Sequence, residues 1–224
     1  MKTSINILLV FLFAACTSVP DERMTPYVDF PETRELTART LSLDSALFRY
    51  PYRVRVQDDK AVVLDLHGTE YFFHAFHYPG FHYLSSFGKR GDAPEEMLSA
   101  ENLRWNGNFL WTLDSNKSEL TRLGFASSGD SLLRLEAVSL DEELLRALDF
   151  VQYDDSTFII PDYSGDSRFC LVSRQGKLLH KIGTIPTTDE DALKNAHPAL
   201  AQAWRSFIDY NPRNGVLAAV TQLG

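Results

Sequence analysis

The chain has 224 residues, 44% of them apolar and 12% aromatic, with 12 Gly and 10 Pro. That composition builds a core and excludes disorder and collagen-like repeats. Thirty acidic residues stand against 22 basic ones, a net charge of −8, and no basic stripe interrupts the excess, which argues against a nucleic-acid partner.

The chain opens with Lys2 and the apolar run Ile5 to Phe13, broken only by Asn6. About nine helical residues cover roughly 14 Å, well short of a hydrocarbon core of roughly 30 Å, so residues 1–15 read as a signal peptide. Phe13-Ala14-Ala15-Cys16 follows: two small residues, then a cysteine whose thiolate can take lipid. This resembles the bacterial lipoprotein box, with Phe13 in place of the usual Leu, and gives Cys16 as the lipid attachment. The alternative is plain secretory cleavage at an Ala-x-Ala-like site. The second cysteine, Cys170, sits in the strand-like run Arg168 to Val172, so no disulfide is expected. Removing residues 1–15 takes away only Lys2, leaving 21 basic and 30 acidic residues, a balance of −9. The mature chain is expected to be acidic and held to a membrane by acyl chains. Residues 16–33, polar and carrying Pro20, Pro26 and Pro31, read as a tether. Asp21-Glu22 behind the cysteine is similar to a surface-export signal of Bacteroidota lipoproteins, but fits a solvated linker better. The expected location is the cell envelope, at the outer membrane.

From Arg34 onward short β runs alternate with turn residues. Arg34 to Leu43 has the look of a strand that closes a ring of sheets. Beyond it, Val62 to Asp65, Trp111 to Asp114 and Ile159 to Asp162 each end an apolar run in Asp and lead into a turn, at spacings of 49 and 48 residues. A strand precedes each Asp across a tight polar turn: Tyr52 to Val56, Asn102 to Trp105 and Leu148 to Tyr153. Two more follow it: Tyr71 to Phe76 and His82 to Phe87, Glu119 to Phe125 and Leu133 to Val138, Arg168 to Ser173 and Lys177 to Ile182. Four antiparallel strands per unit of this length predict β-propeller blades. A sandwich also has many short strands but no reason to repeat its turn chemistry at a fixed interval.

A fourth unit begins at Phe207 to Tyr210 and continues in Val216 to Thr221, where Thr221 takes the place of the repeated Asp. It lies 59 residues after Asp162, and the excess is accounted for by one helical insertion, roughly Asp189 to Arg205. Thr187-Thr188-Asp189-Glu190 has the form of a capping box, and Pro198 is expected to split the insertion into two short helices. The insertion reads either as a partner-facing loop or as a cap on the propeller rim.

The stretch Phe87-Gly88-Lys89-Arg90-Gly91-Asp92-Ala93-Pro94-Glu95-Glu96-Met97 resembles the blade-to-blade signature of the six-bladed, TolB-like propeller lipoproteins of Bacteroidota. Phe87, Gly88, Gly91, Pro94, Glu96 and Met97 carry the match; Asp92 and Ala93 depart from the Gly-rich filling of that family. The resemblance implies an all-β propeller of six blades, of which residues 34–224 supply about three and a half. Six blades would need roughly 290 residues, so the chain is expected to be incomplete at its C-terminus. A phosphate loop is not spelled here, because Gly88-Lys89-Arg90-Gly91 lacks the Gly-Lys-Ser/Thr ending. The two glycines serve the turns that leave one blade and enter the next.

His67, His74, His77 and His82 gather four of the six histidines within sixteen residues. On a strand His74 and His77 face opposite ways, which argues against one shared zinc or copper ion and for ordinary β packing. Asp65, Asp114 and Asp162 could converge as a carboxylate ring holding calcium at the channel mouth. Alternatively, each starts a turn by accepting backbone N–H groups. No Gly-x-Ser-x-Gly, Cys-x-x-Cys or His-Glu-x-x-His motif occurs. The sequence therefore leads to a membrane-anchored envelope propeller that binds a protein or glycan partner, without a cofactor. The alternative is a propeller hydrolase or lactonase with a divalent cation at the channel mouth.

Overall fold

The computed structural model describes residues 32–41 and 48–223, and the chain divides into two units, Met1–Thr40 and Leu41–Gly224. In the first unit, residues 32–40 are exposed and form no strand. This corrects the expectation of a closing strand over Arg34 to Leu43 as far as residue 41, residues 42 and 43 lying outside the described residues: Leu36 and Leu41, at odd spacing, would face opposite sides of a strand and give it no apolar face. The signal peptide, Cys16 and most of the tether lie outside the described residues.

The second unit fans out four antiparallel sheets in chain order. The first holds β1 (Pro51–Gln57), β2 (Lys60–Asp65), β3 (Tyr71–His77) and β4 (His82–Lys89). In the second are β5 (Ala100–Asn106), β6 (Phe109–Asp114), β7 (Glu119–Phe125) and β8 (Leu132–Ser139). The third comprises β9 (Val151–Gln152), β10 (Thr157–Pro161), β11 (Phe169–Ser173) and β12 (Leu178–Ile182). After α1 (Glu190–Asn195) and α2 (His197–Ala203) come β13 (Ser206–Asn211) and β14 (Val216–Thr221), which form a two-stranded sheet. Each sheet runs in sequential order, with no strand exchanged between sheets. That is propeller topology, and it excludes the sandwich.

The core lies between the sheets, which explains why β2, β3 and β6 are near-continuous apolar runs: both of their faces are covered. Val62, Leu64, Phe72 and Phe73 of the first blade pack on Leu103, Leu110 and Leu123 of the second. Trp111, Leu113 and Leu120 of the second meet Phe150, Phe158 and Ile160 of the third. Val151 and Ile159 then pack on Ile208 of β13. Fully buried Phe72, Phe73, Phe76, Phe150 and Phe158 each contribute about 2 to 3 kcal/mol of transfer free energy.

One inner strand is shorter than expected. Leu148 to Tyr153 contributes only the two-residue β9, and before it the Phe150 amide donates to the Asp149 carboxylate at 2.8 Å. The helical insertion splits at Ala196 with Pro198 in the first turn of α2. Its cap is Asp189 rather than Thr187: the Asp189 carboxylate accepts from the Asp191 and Ala192 amides, each at 3.0 Å, and the Thr187 hydroxyl accepts from the Asp189 amide.

Candidate functional site

The repeated aspartates are buried, and their oxygens are occupied by the chain itself. Asp65 Oδ2 accepts from the Arg49 amide at 2.8 Å and Oδ1 from the Tyr50 amide at 2.6 Å. Asp114 does the same 49 residues on, accepting from Leu98 and Ser99 at 2.7 and 3.2 Å, and also from the Asn116 and Lys117 amides at 3.0 Å. Each thus ties the end of a second strand to the segment entering its own blade. Asp162 works locally, accepting from the Ser164 amide and hydroxyl and the Ser167 amide.

In these contacts the aspartates start turns and clamp strand ends. Among the described residues no group of three or more His, Cys, Asp or Glu side chains could hold a metal ion. Beside Asp162 the charge is balanced by Lys181, whose Nζ lies 3.5 Å from Asp162 Oδ2, 2.9 Å from Asp166 Oδ2 and 2.8 Å from Ser164 Oγ. The carboxylates raise the Lys181 pKa against the opposing effect of burial, so the ammonium stays charged and is no base for Ser164.

The histidines are dispersed as the strand pattern requires. His74 is buried, with Nδ1 2.8 Å from Ser86 Oγ and its ring edge-on to Phe48, and burial lowers its pKa. His77 lies opposite His82 in the ladder, on the exposed side near Asp59. Burial likewise pushes the Cys170 thiol up to about 12, which leaves it unreactive.

Gly88, Gly91, Pro94 and Glu96 connect the first blade to the second. Gly88 has φ +65°, and a Cβ there would stand 2.7 Å from the Phe73 ring. A Cβ on Gly91 would collide with the Glu96 carboxylate, which accepts from Lys89 Nζ at 2.7 Å and the Ala93 amide at 3.2 Å. Lys117 Nζ of the second blade donates to the carbonyls of Ala93 and Glu96, and Arg134 donates to that of Pro94. The loop is thereby fastened to the blade it leads into.

A network that the sequence did not single out joins the inner strands. Arg104 of β5 donates from Nη1 to Asp209 of β13 at 2.8 Å and from Nη2 to Asp149 at 3.1 Å, and also reaches the Ile208 carbonyl. Asp149, 2% exposed at its side chain, further accepts from Asn102 Nδ2 and, at 3.0 Å, from the Ile208 amide. One buried carboxylate and one guanidinium thus join the second, third and fourth sheets. The available signal was limited: Arg55, Arg104 and Asp209 stand at equivalent register positions of β1, β5 and β13, which marks charged inner strands and not which of their residues pair.

Above this network opens a cleft of about 420 Å³, lined by Arg55, Arg104, Trp105, Tyr153, Asp209 and Tyr210 among others. The Tyr153 and Tyr210 rings lie 5.3 Å apart at its side. Its size suits a small ligand or one unit of a larger one. It brings aromatic faces beside guanidinium and carboxylate groups.

The profile described as TolB-like 6-blade propeller-like matches residues 29–223. Among curated proteins none matches the sequence. A protein of Bacteroides fragilis assigned to export is similar in fold, at 14% identity and TM-score 0.53, over 67% of this chain and 42% of its own. A member of the DUF4221 family from Bacteroides vulgatus is 12% identical, with TM-score 0.51 over 84% of this chain and 57% of its own. A second Bacteroides fragilis protein, assigned as a 6-phosphogluconolactonase, is 11% identical, with TM-score 0.44 over 60% of this chain and 40% of its own. That score carries no argument about activity. The chain spans about half the length of these structures.

Proposed function

The chain belongs to the TolB-like six-bladed propeller family, and from that premise we propose that it is an exported, lipid-anchored binding module of the cell envelope that takes a glycan or protein partner. The observation that carries this reading is the cleft at the inner strands, where the Tyr153 and Tyr210 rings stand beside Arg55, Arg104 and Asp209. Sugar rings lie on aromatic faces while their hydroxyls bond to carboxylates and amides, so the lining favours a saccharide unit. Lipid anchoring and export are supported by Lys2, the apolar run to Phe13 and Cys16 behind two alanines.

Two measurements test it on the full chain. Metabolic labelling with palmitate should mark the wild type in the membrane fraction, and Cys16→Ser should abolish the label and release the protein from the membrane. Screening against immobilised glycans should find ligands whose retention falls about tenfold in Tyr210→Ala, the order expected for loss of an aromatic stacking contact. Retention unchanged in that variant would remove the cleft from the function.

A further inference from the structure

The charges of the cleft are unequally satisfied, and this narrows the ligand within the glycan-binding reading, on which the inference rests. Arg104 is spent on Asp149, Asp209 and a carbonyl. Asp209 is in turn taken by Arg104 and by the Tyr210 amide at 3.1 Å. The Asp154 carboxylate, also on the lining, accepts from the Ser156 amide, the Ser156 hydroxyl and the Thr157 hydroxyl, each at 2.8 Å.

Arg55 is different. Its guanidinium makes one long hydrogen bond, Nε to the Leu103 carbonyl at 3.4 Å, and no carboxylate among the described residues lies within ion-pair distance. Burial, then the neighbouring guanidinium groups of Arg104 and Arg53, push its pKa down and outweigh the more distant carboxylates of Asp209 and Asp149, both already engaged by Arg104. The wall behind it is biased the same way. On the lining, Arg104 Nε and Trp105 Nε1 are buried N–H groups without a hydrogen-bond partner, against one such acceptor, Gln152 Oε1.

One unneutralised guanidinium calls for a monoanion, since a doubly charged phosphate would place its second charge beside Asp154, Asp155 and Asp209. A carboxylate also matches the planar fork of Arg. We propose that Arg55 anchors the carboxylate of a uronic-acid saccharide, whose ring lies against Tyr153 and Tyr210 and whose hydroxyls donate to Asp155 and Gln152.

The test titrates the full chain with methyl galacturonoside, a monoanion, and with its methyl ester, which keeps the sugar and masks the charge, by calorimetry and tryptophan fluorescence. The acid should bind at least about tenfold more tightly than the ester, the scale of one charge-assisted hydrogen-bonded pair, and less so as salt rises. Arg55→Gln should abolish that preference, bringing the affinity for the acid down to that for the ester in the same variant. Arg55→Lys, which keeps the charge and loses the fork, should retain an intermediate preference, and thermal unfolding of both variants verifies that they are folded. Equal binding of the two sugars would overturn the carboxylate inference and leave the glycan reading standing. Binding of neither would overturn both, and a preference that survives in folded Arg55→Gln would overturn the assignment to Arg55.

Discussion

Asp114 meets four backbone N–H groups while its own exposure is 1%, so the carboxylate has replaced water for amides that have no other acceptor. Removing it orphans donors on two segments at once, the entry to β5 and the turn after β6. Asp114→Ala is therefore expected to cost about 3 kcal/mol or more, and Asp114→Asn, which keeps the shape and one acceptor oxygen, about half of that. Asp162→Ala should cost less, because Asp162 bonds only to its own turn and to Lys181, all within a short stretch of chain and one neighbouring strand. Urea unfolding of the three variants measures this, and equal losses at positions 114 and 162 would show that the long-range clamp adds nothing. The Asp repeat was readable because turn chemistry recurs at a fixed interval. Which amides it would satisfy was not, since Leu98 and Ser99 lie in a segment with no marked pattern of their own.

At the scale of elements, the strands of the first two blades fall where apolar runs and polar turns place them, because burial on both faces and tight turns are local properties of sequence. The bulges are another matter. Register shifts recur between Ala75 and Phe76, Arg122 and Leu123, and Leu171 and Val172, at equivalent places between the third and fourth strands of three blades. They add the twist that carries each sheet from axis to rim, and no residue type announces them. The helical insertion is held by side chains that periodicity cannot pair: His197 Nδ1 lies 2.7 Å from Asp166 Oδ1, the Tyr163 hydroxyl donates to Gln202 at 3.0 Å, and a Cβ on Gly165 would strike the His197 backbone. Lys181 foremost, then Ser164, with a smaller share from His197, hold Asp166 below the ordinary carboxylate value. A depressed folded pKa stabilises the fold above the unfolded value, and that contribution is lost as pH falls through the folded one. Melting temperatures taken from about pH 6 down to about pH 3 should show Asp166→Asn below the wild type at the upper end, with the gap closing under about pH 4. Since Asp166 is half-exposed, the gap is expected to be small and to shrink with salt. A constant gap across the range would mean that the variant acts by packing rather than by charge.

For the molecule as a whole, the blades are joined by two kinds of contact with different reach. Apolar contact joins each sheet to the next, and its strands could be picked out residue by residue. The Arg104 network goes further, from the second sheet to the third and fourth, with partners 45 and 105 residues away. Sequence spacing carries no trace of that pairing, because it depends on how the inner strands converge and not on any repeat within them. Arg104 and Asp149 are both almost fully buried, at 10% and 2% side-chain exposure, so removing Arg104 leaves Asp149 as an uncompensated charge in the interior, while removing Asp149 leaves Arg104 with only the exposed Asp209. Arg104→Met and Asp149→Leu should each cost about 3 to 5 kcal/mol, whereas the double variant, which removes both charges, should lose markedly less than the sum. The same cycle reports on cooperativity. With Arg104 gone, β13 and β14 keep the apolar contact of Ile208 with Val151 and Ile159 but lose their charged link to the second sheet. Urea unfolding of Arg104→Met should then lose coincidence between tryptophan fluorescence and circular dichroism, as the two-stranded sheet lets go before the blades behind it. Coincident transitions with an unchanged slope, together with strictly additive costs, would mean that the network is a local pair and that apolar packing alone makes the four sheets one cooperative unit.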